Sequence, residues 1–194
     1  MMLVNSTPYE GPSFSLLNRL ARLLWQFVWL LMFRPTPPAM HAWRCWLLRR
    51  FGAHIAPDCH VYSEARIWAP WNLKMASKAC LGPRVNCYCM APVELGERAV
   101  VSQGVHLCTG SHYYNLISFP LFAKPITIGS DAWICTEAFV GPGVTVGDGA
   151  VIGARAVVIR SQPRWMVCAG NPARPLKART HPYSAYLSSD DASI

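Results

Sequence analysis

The side chains best equipped for chemistry in this 194-residue sequence gather around one segment. His112 closes the run LCTGSH, and an imidazole takes up and returns a proton near neutral pH. On pattern alone it serves equally well as a loop histidine that only hydrogen-bonds. Asn86, in VNCYC, can bond a hydroxyl or the imidazole, or can cap a turn. Arg160, Arg174 and Lys177 fall in residues 155–179, which hold six basic groups and no acid. Such groups bond phosphate oxygens or form a solvated basic face. Trp133 reads either as a wall of a site or as a packed aromatic. The eight cysteines show neither a CxxC pair nor a zinc spacing. Cys87 and Cys89 have no further ligands nearby, so no metal is expected, and most of the thiols read as small buried apolar residues.

What positions these groups is a period of six. Large aliphatic residues fall at Ile128, Ile134, Val140, Val146, Ile152 and Val158, each preceded two residues earlier by Ile126, Ala132, Ala138, Val144, Ala150 and Ala156. The frame continues upstream through Leu95, Val101 and Leu107, through Met75, Leu81 and Cys87, and less regularly through Ile55, Val61 and Ile67. Two extra residues enter at each of the Ile67–Met75 and Cys87–Leu95 junctions. Each hexad is a short strand plus a turn, and three hexads close a triangular coil. Repeats of this kind bury their apolar face only by stacking. About five coils, residues 53–161, follow. A β-sandwich would need period-two strands with turn signals every 8–12 residues, and the unbroken six-residue phase argues against it.

The repeat breaks once, at residues 110–125, GSHYYNLISFPLFAKP. Loops interrupting a rigid scaffold commonly carry function. This one starts at His112 and carries Leu116, Ile117, Phe119, Leu121 and Phe122, which suit a neighbouring subunit.

Residues 1–50 contain six arginines and one acid, Glu10, within a chain of net charge +8. Two separate basic regions suggest two anionic surfaces or partners. No aromatic-basic motif supports nucleic acid as one of them. Leu16, Leu20, Leu23, Leu24, Phe27 and Leu31 follow helical spacing, and Pro35, Pro37 and Pro38 end the helix. Its longest run without a polar residue, residues 27–33, has seven residues, and even residues 23–33 make only eleven, against the roughly 20 residues that span a bilayer. Two readings stay open for residues 16–33: a cap over the first coil, or a peripheral membrane helix with Trp25 and Trp29 at the boundary. Unpaired thiols and the lack of a cleavable leader pattern lead us to expect a cytoplasmic protein, peripheral on the inner membrane face if the helix binds lipid. Residues 184–194 read as a frayed tail.

The runs VNCYC (85–89), LCTGSH (107–112), ITIGSDAWICTEAFVGPGVTVGDGAVIGARAVV (126–158) and AGNPAR (169–174) together resemble the hexapeptide-repeat O-acetyltransferases. Within them the sequence is most similar to the colanic-acid-type exopolysaccharide enzymes, near the galactoside and maltose acetyltransferases. The resemblance covers about residues 43–179. It implies an all-β, left-handed parallel β-helix with an N-terminal α-helix and a short C-terminal extension. The expected divisions are 1–52, 53–170 and 171–194.

The resemblance also implies a homotrimer with sites between adjacent prisms and acetyl-CoA as co-substrate. His112 would be the general base and Asn86 would lie on the acceptor side. Trp133, Thr136 and Ala154 would lie along the pantetheine arm, and Arg160, Arg174 and Lys177 near the phosphates and adenine. The acceptor would be a sugar hydroxyl of an exopolysaccharide or lipid-linked glycan. Related enzymes often place an acid directly after this histidine, but here the residue is Tyr113. A backbone carbonyl or Glu137 would then orient the ring, if anything does. The competing readings are a small free acceptor, such as a sugar, serine or an antibiotic, a metal-dependent carbonic anhydrase, or a non-catalytic scaffold. His106 and His112 are six residues apart, so they project from adjacent faces and do not converge on a metal.

Overall fold

The computed structural model describes residues 7, 9 and 11–180; the tail expected at residues 184–194 lies outside them. Three parallel sheets form the sides of a left-handed β-helix. Ile55 opposes Met75 and Met75 opposes Leu95, a repeat of 20 residues. Ile128 opposes Val146, a repeat of 18. The extra pair upstream is taken up at one corner, which in the first coil holds a short 3-10 turn, Pro70–Asn72. Five complete coils result. The pairing of Gln162 with Val146 and the strand Met166–Gly170 begin a sixth, which Ala173–Ala178 closes by antiparallel pairing.

The hexad pattern works because two of every six side chains point inward. Val61, Leu81, Val101, Ile134 and Ile152 make one fully buried ladder; Ala79, Ala99, Ala132 and Ala150 make a neighbouring one where space is short. Five of the eight cysteines, Cys45, Cys59, Cys87, Cys89 and Cys168, are buried members of this core. Burial raises the Cys45 thiol to about 11, aided by the nearby Cys59.

All coils run the same way, so their hydrogen bonds do too. The N–H of Ala56 donates to the carbonyl of Met75, that of Ala76 to Leu95, and that of Gly96 to Ile128. Along the strands each coil therefore gives its N–H groups to the next coil and turns its carbonyls toward the N-terminal end; at some corners the bonds run back, as from the Arg98 N–H to Ser77 O. The first coil has no predecessor, and its carbonyls would be orphaned. An orphaned buried carbonyl costs about 1–3 kcal/mol.

The N-terminal segment supplies the missing donors. It is two helices, α1 (Leu16–Val28, extended by a π-helical turn at Trp29–Phe33) and α2 (His41–Arg50), where the sequence pattern suggested one. From α2, Arg49 Nε donates to Ile55 O at 2.7 Å, Cys45 Sγ to Cys59 O at 3.4 Å, and Arg44 Nε to Val61 O at 2.6 Å. From α1 and its extension, Trp29 Nε1 donates to Ala65 O at 2.9 Å and Trp25 Nε1 to Ile67 O at 2.7 Å. These five carbonyls are the first-coil counterparts of Met75, Ala79, Leu81, Val85 and Cys87, which accept from coil-one amides.

This geometry fixes which face of α1 meets the solenoid. Trp25 is buried against the solenoid, and Trp29 bonds its edge. The apolar stripe Leu16, Leu20, Leu24, Phe27 and Leu31 faces outward and is exposed. A rim of bare carbonyls attracts N–H donors, not leucines. The 18-residue stretch Leu16–Phe33 has a mean hydropathy of 1.2, long and apolar enough by length and composition to cross a membrane.

Candidate active site

The break in the repeat is an ordered arm. Gly110–His112 pairs antiparallel with Leu121–Ala123, with His112 opposite Leu121. Thr109 fixes its root: fully buried, its hydroxyl donates to Tyr88 O at 2.9 Å and accepts from the Ala91 N–H at 3.0 Å. Gly110 follows, where a Cβ would press on the Met90 sulfur unless that side chain shifted. The Thr-Gly pair thus anchors the arm and steers it off the solenoid two residues before the histidine.

At the turn of the arm the chain folds back on His112. Phe119 sits at φ +45°, a left-handed conformation uncommon for an aromatic residue. Its carbonyl thereby reaches His112 Nδ1 at 2.9 Å, and its ring stacks on the imidazole with centroids 4.2 Å apart and planes 11° apart. A carbonyl only accepts, so Nδ1 carries the proton and Nε2 is left as the basic nitrogen. The backbone carbonyl is therefore what orients the ring. Glu137 is committed elsewhere, to Arg155 at 2.7 Å. Beyond the histidine the arm exposes Tyr113, Tyr114, Leu116 and Ile117.

The other candidates fall into separate groups. Asn86 is exposed on the third face, and its amide lies 3.4 Å from His106 Nε2. Burial pushes the His106 pKa down, which favours a neutral ring able to accept from that amide. Trp133 is about half exposed on the second face, with Nε1 donating to Ser102 Oγ at 2.9 Å. Lys177 is exposed on the strand that closes the same face, opposite Val167. The next corner holds Thr136, whose hydroxyl donates to Gln103 O at 3.1 Å and whose carbonyl accepts from Arg155 N. The exposed Ala154 adjoins that bond in the following coil. Arg160 and Arg174 come together in a cleft of about 280 Å³ at the C-terminal end, with Ser161, Gln162 and Pro172.

One chain thus unites Arg160 with Arg174 and Thr136 with Ala154. His112 and Asn86 do not bond one another; each has its own partner. Sequence reasoning missed Phe119, since a carbonyl acceptor leaves no residue-type signal. It also missed Thr109 and Met90, although the Thr-Gly step was visible. Among the described residues, no three His, Cys, Asp or Glu gather as a metal site would require.

Comparison with known proteins converges on one family. The bacterial transferase hexapeptide model (six repeats) matches residues 125–160. An Escherichia coli (strain K12) protein, WcaF, which carries the name of a colanic acid biosynthesis acetyltransferase, is 40% identical over 162 residues, spanning 84% of this chain and 89% of its own. A maltose O-acetyltransferase from Clostridium difficile 630 superposes with a TM-score of 0.77 at 23% identity, covering 92% of this chain and 100% of its own. A hexapeptide-repeat acetyltransferase from Vibrio cholerae O1 biovar eltor, complexed with acetyl coenzyme A, gives 0.74 at 23% identity, with 89% and 96% covered.

Proposed function

Because this chain belongs to the hexapeptide-repeat acetyltransferases, we propose that it moves an acetyl group from acetyl-CoA to a sugar hydroxyl of an exopolysaccharide or lipid-linked glycan precursor. The observation that carries the reading is the bond from His112 Nδ1 to Phe119 O, which keeps Nε2 free to act as a base. A sugar hydroxyl is a weak nucleophile at neutral pH. As its oxygen bonds to the thioester carbonyl carbon, Nε2 takes its proton; when the C–S bond breaks, the imidazolium returns that proton to the departing sulfur. Transfer is direct, with no covalent enzyme intermediate. The Thr136 backbone N–H is our candidate for the developing oxyanion.

Asn86 holds the acceptor. Trp133, Thr136 and Ala154 line the pantetheine arm. Arg160, Arg174 and Lys177 take the phosphate and adenine end; that two arginines line one cleft supports this, because guanidinium donors match phosphate oxygens. His112 and the CoA residues are spread around the prism, which favours a homotrimer whose sites form between neighbours, each arm covering the next subunit with Tyr114 and Ile117. We place the protein in the cytoplasm, on the inner membrane face, with the exposed leucines of α1 in the lipid interface.

The test is thioester consumption with a panel of saccharides, wild type beside His112→Ala. Turnover should fall by roughly 100- to 10,000-fold in the variant. Near-wild-type turnover would remove His112 from the mechanism.

A further inference from the structure

A groove of about 490 Å³ runs between α1 and the third face of the solenoid, within the roughly 300–1,000 Å³ range of ligand pockets. Leu23, Phe27 and Leu30 form its helical wall; Arg66, Trp68 and Asn86 form the other. All three helical residues are exposed. Leu23 also lines an adjoining depression with Leu16, Leu20, Arg19 and Arg22, so the apolar surface continues along the helix.

The charges at this groove are all of one sign. Arg66 lies with its guanidinium carbon 5.4 Å from the Trp29 ring centroid, and Arg22 lies 4.2 Å from that of Trp68. Among the described residues neither arginine has a carboxylate partner, and no Asp or Glu occurs from Gly11 to Pro57. Arg66 is the direct cross-strand neighbour of Asn86. A hydrocarbon wall, an uncompensated guanidinium and a hydroxyl-bonding amide therefore adjoin one another. They correspond to the lipid chain, the phosphate and the sugar of one kind of molecule.

We infer that this groove holds the lipid-phosphate end of a lipid-linked saccharide, so that the acceptor is presented beside Asn86 with its anchor still attached. The inference rests on the acetyl-transfer reading above and narrows its acceptor. Hydrophobic contact with Leu23, Phe27 and Leu30 supplies non-directional affinity, and Arg66 fixes the phosphate by charge-assisted hydrogen bonds.

The full-length protein is titrated with farnesyl phosphate, a soluble prenyl phosphate, following the fluorescence of the tryptophans in the groove. Saturable binding is expected, weaker by about tenfold or more in Arg66→Glu and in Leu30→Asp, and weaker for farnesol or inorganic phosphate alone. Circular dichroism melts establish that both variants fold. Wild type without saturable binding, or folded variants that bind as tightly, would overturn the inference. Association into larger assemblies without ligand binding would make the groove a contact between copies and overturn it equally. In a second arm, acetyl transfer is compared between a prenyl-phosphate-linked saccharide and the same free sugar, with at least a tenfold lower KM expected for the linked form. No transfer to either defeats the acetyl-transfer reading, while the binding titration still judges the groove. Equal KM with no prenyl phosphate binding defeats the groove and leaves acetyl transfer standing.

Discussion

His112 and Phe119 hold each other twice, by a 2.9 Å bond from Nδ1 to the carbonyl and by ring stacking at 4.2 Å. The contact joins the first strand of the arm to its turn. Phe119 is a positioning residue in this arrangement.

Replacing Phe119 by alanine keeps the carbonyl and removes the stack. The imidazole gains freedom, and kcat should fall roughly ten- to hundredfold, the usual effect of a loosened catalytic geometry. KM for acetyl-CoA should hardly change. A variant with altered KM and unaltered kcat would mean that the ring only packs.

Arg44 is fully buried without a carboxylate beside it; its charge is met by Val61 O, Pro37 O, Pro38 O and Thr36 Oγ1. Arg44→Leu strands the buried Val61 carbonyl and removes the donor shared by the part-buried acceptors Thr36, Pro37 and Pro38. The expected loss is about 3 kcal/mol or more, read from denaturant midpoints. A loss under about 1 kcal/mol would show that the cap does not depend on this side chain.

The pH dependence of stability has a definite sign. Burial lowers the His41 pKa, with the nearby Arg44 and His60 adding to it against the Val61 carbonyl, and burial lowers that of His106. The unfolded chain, with a histidine value near 6.5, then binds these protons more readily than the native one. Stability is intact above that pH and declines as pH drops through it toward the folded values. Melting temperature should decrease from about pH 7 to pH 5, and His41→Gln should flatten the decline. A melting temperature that rises on acidification would contradict the assignment.

Arg174→Ala should raise KM for acetyl-CoA by about tenfold, with kcat little affected, as expected for a lost charge-assisted contact. The effect should shrink in high salt. An unchanged KM would assign the Arg160–Arg174 cleft to another anion.

For α1, sedimentation with phosphatidylglycerol vesicles tests the exposed stripe. Wild type should bind them and ignore phosphatidylcholine, and joint replacement of Leu20, Leu24 and Leu31 by glutamine should reduce the bound fraction at least about fivefold. These three side chains are 51%, 57% and 55% exposed, so the melting temperature should hold. Equal sedimentation of both proteins would dissociate α1 from lipid binding.

The solenoid was legible because its rule is local: Ile128 through Val158 repeat every six residues, and each aliphatic position is buried. The extra residues at two upstream corners were legible for the same reason. The arm was visible as an interruption, but not as a hairpin, because its register depends on a left-handed Phe119 that no residue type advertises. The packing face of α1 was not legible, because helical periodicity marks where apolar residues lie, not which side the neighbour wants. Here the neighbour is a row of carbonyls, and it selects Trp25 and Trp29 over seven leucines of the same helical stretch. Which residues from different subunits share one cleft is a property of assembly, and a single chain's sequence does not encode it by spacing.

The shared direction of the hydrogen bonds along the strands makes the two ends of the prism chemically unlike. At the N-terminal end the strands present acceptors; at the far end they present donors on two sides, while Ala173–Ala178 covers the third. If the tryptophans and arginines of the N-terminal helices were peeled away, the vacant acceptors would match the two uncovered sides at the far end of another molecule. Fibre growth by end-to-tail stacking is then the natural failure of this fold, and the helices at its head are what holds each prism to a finite length.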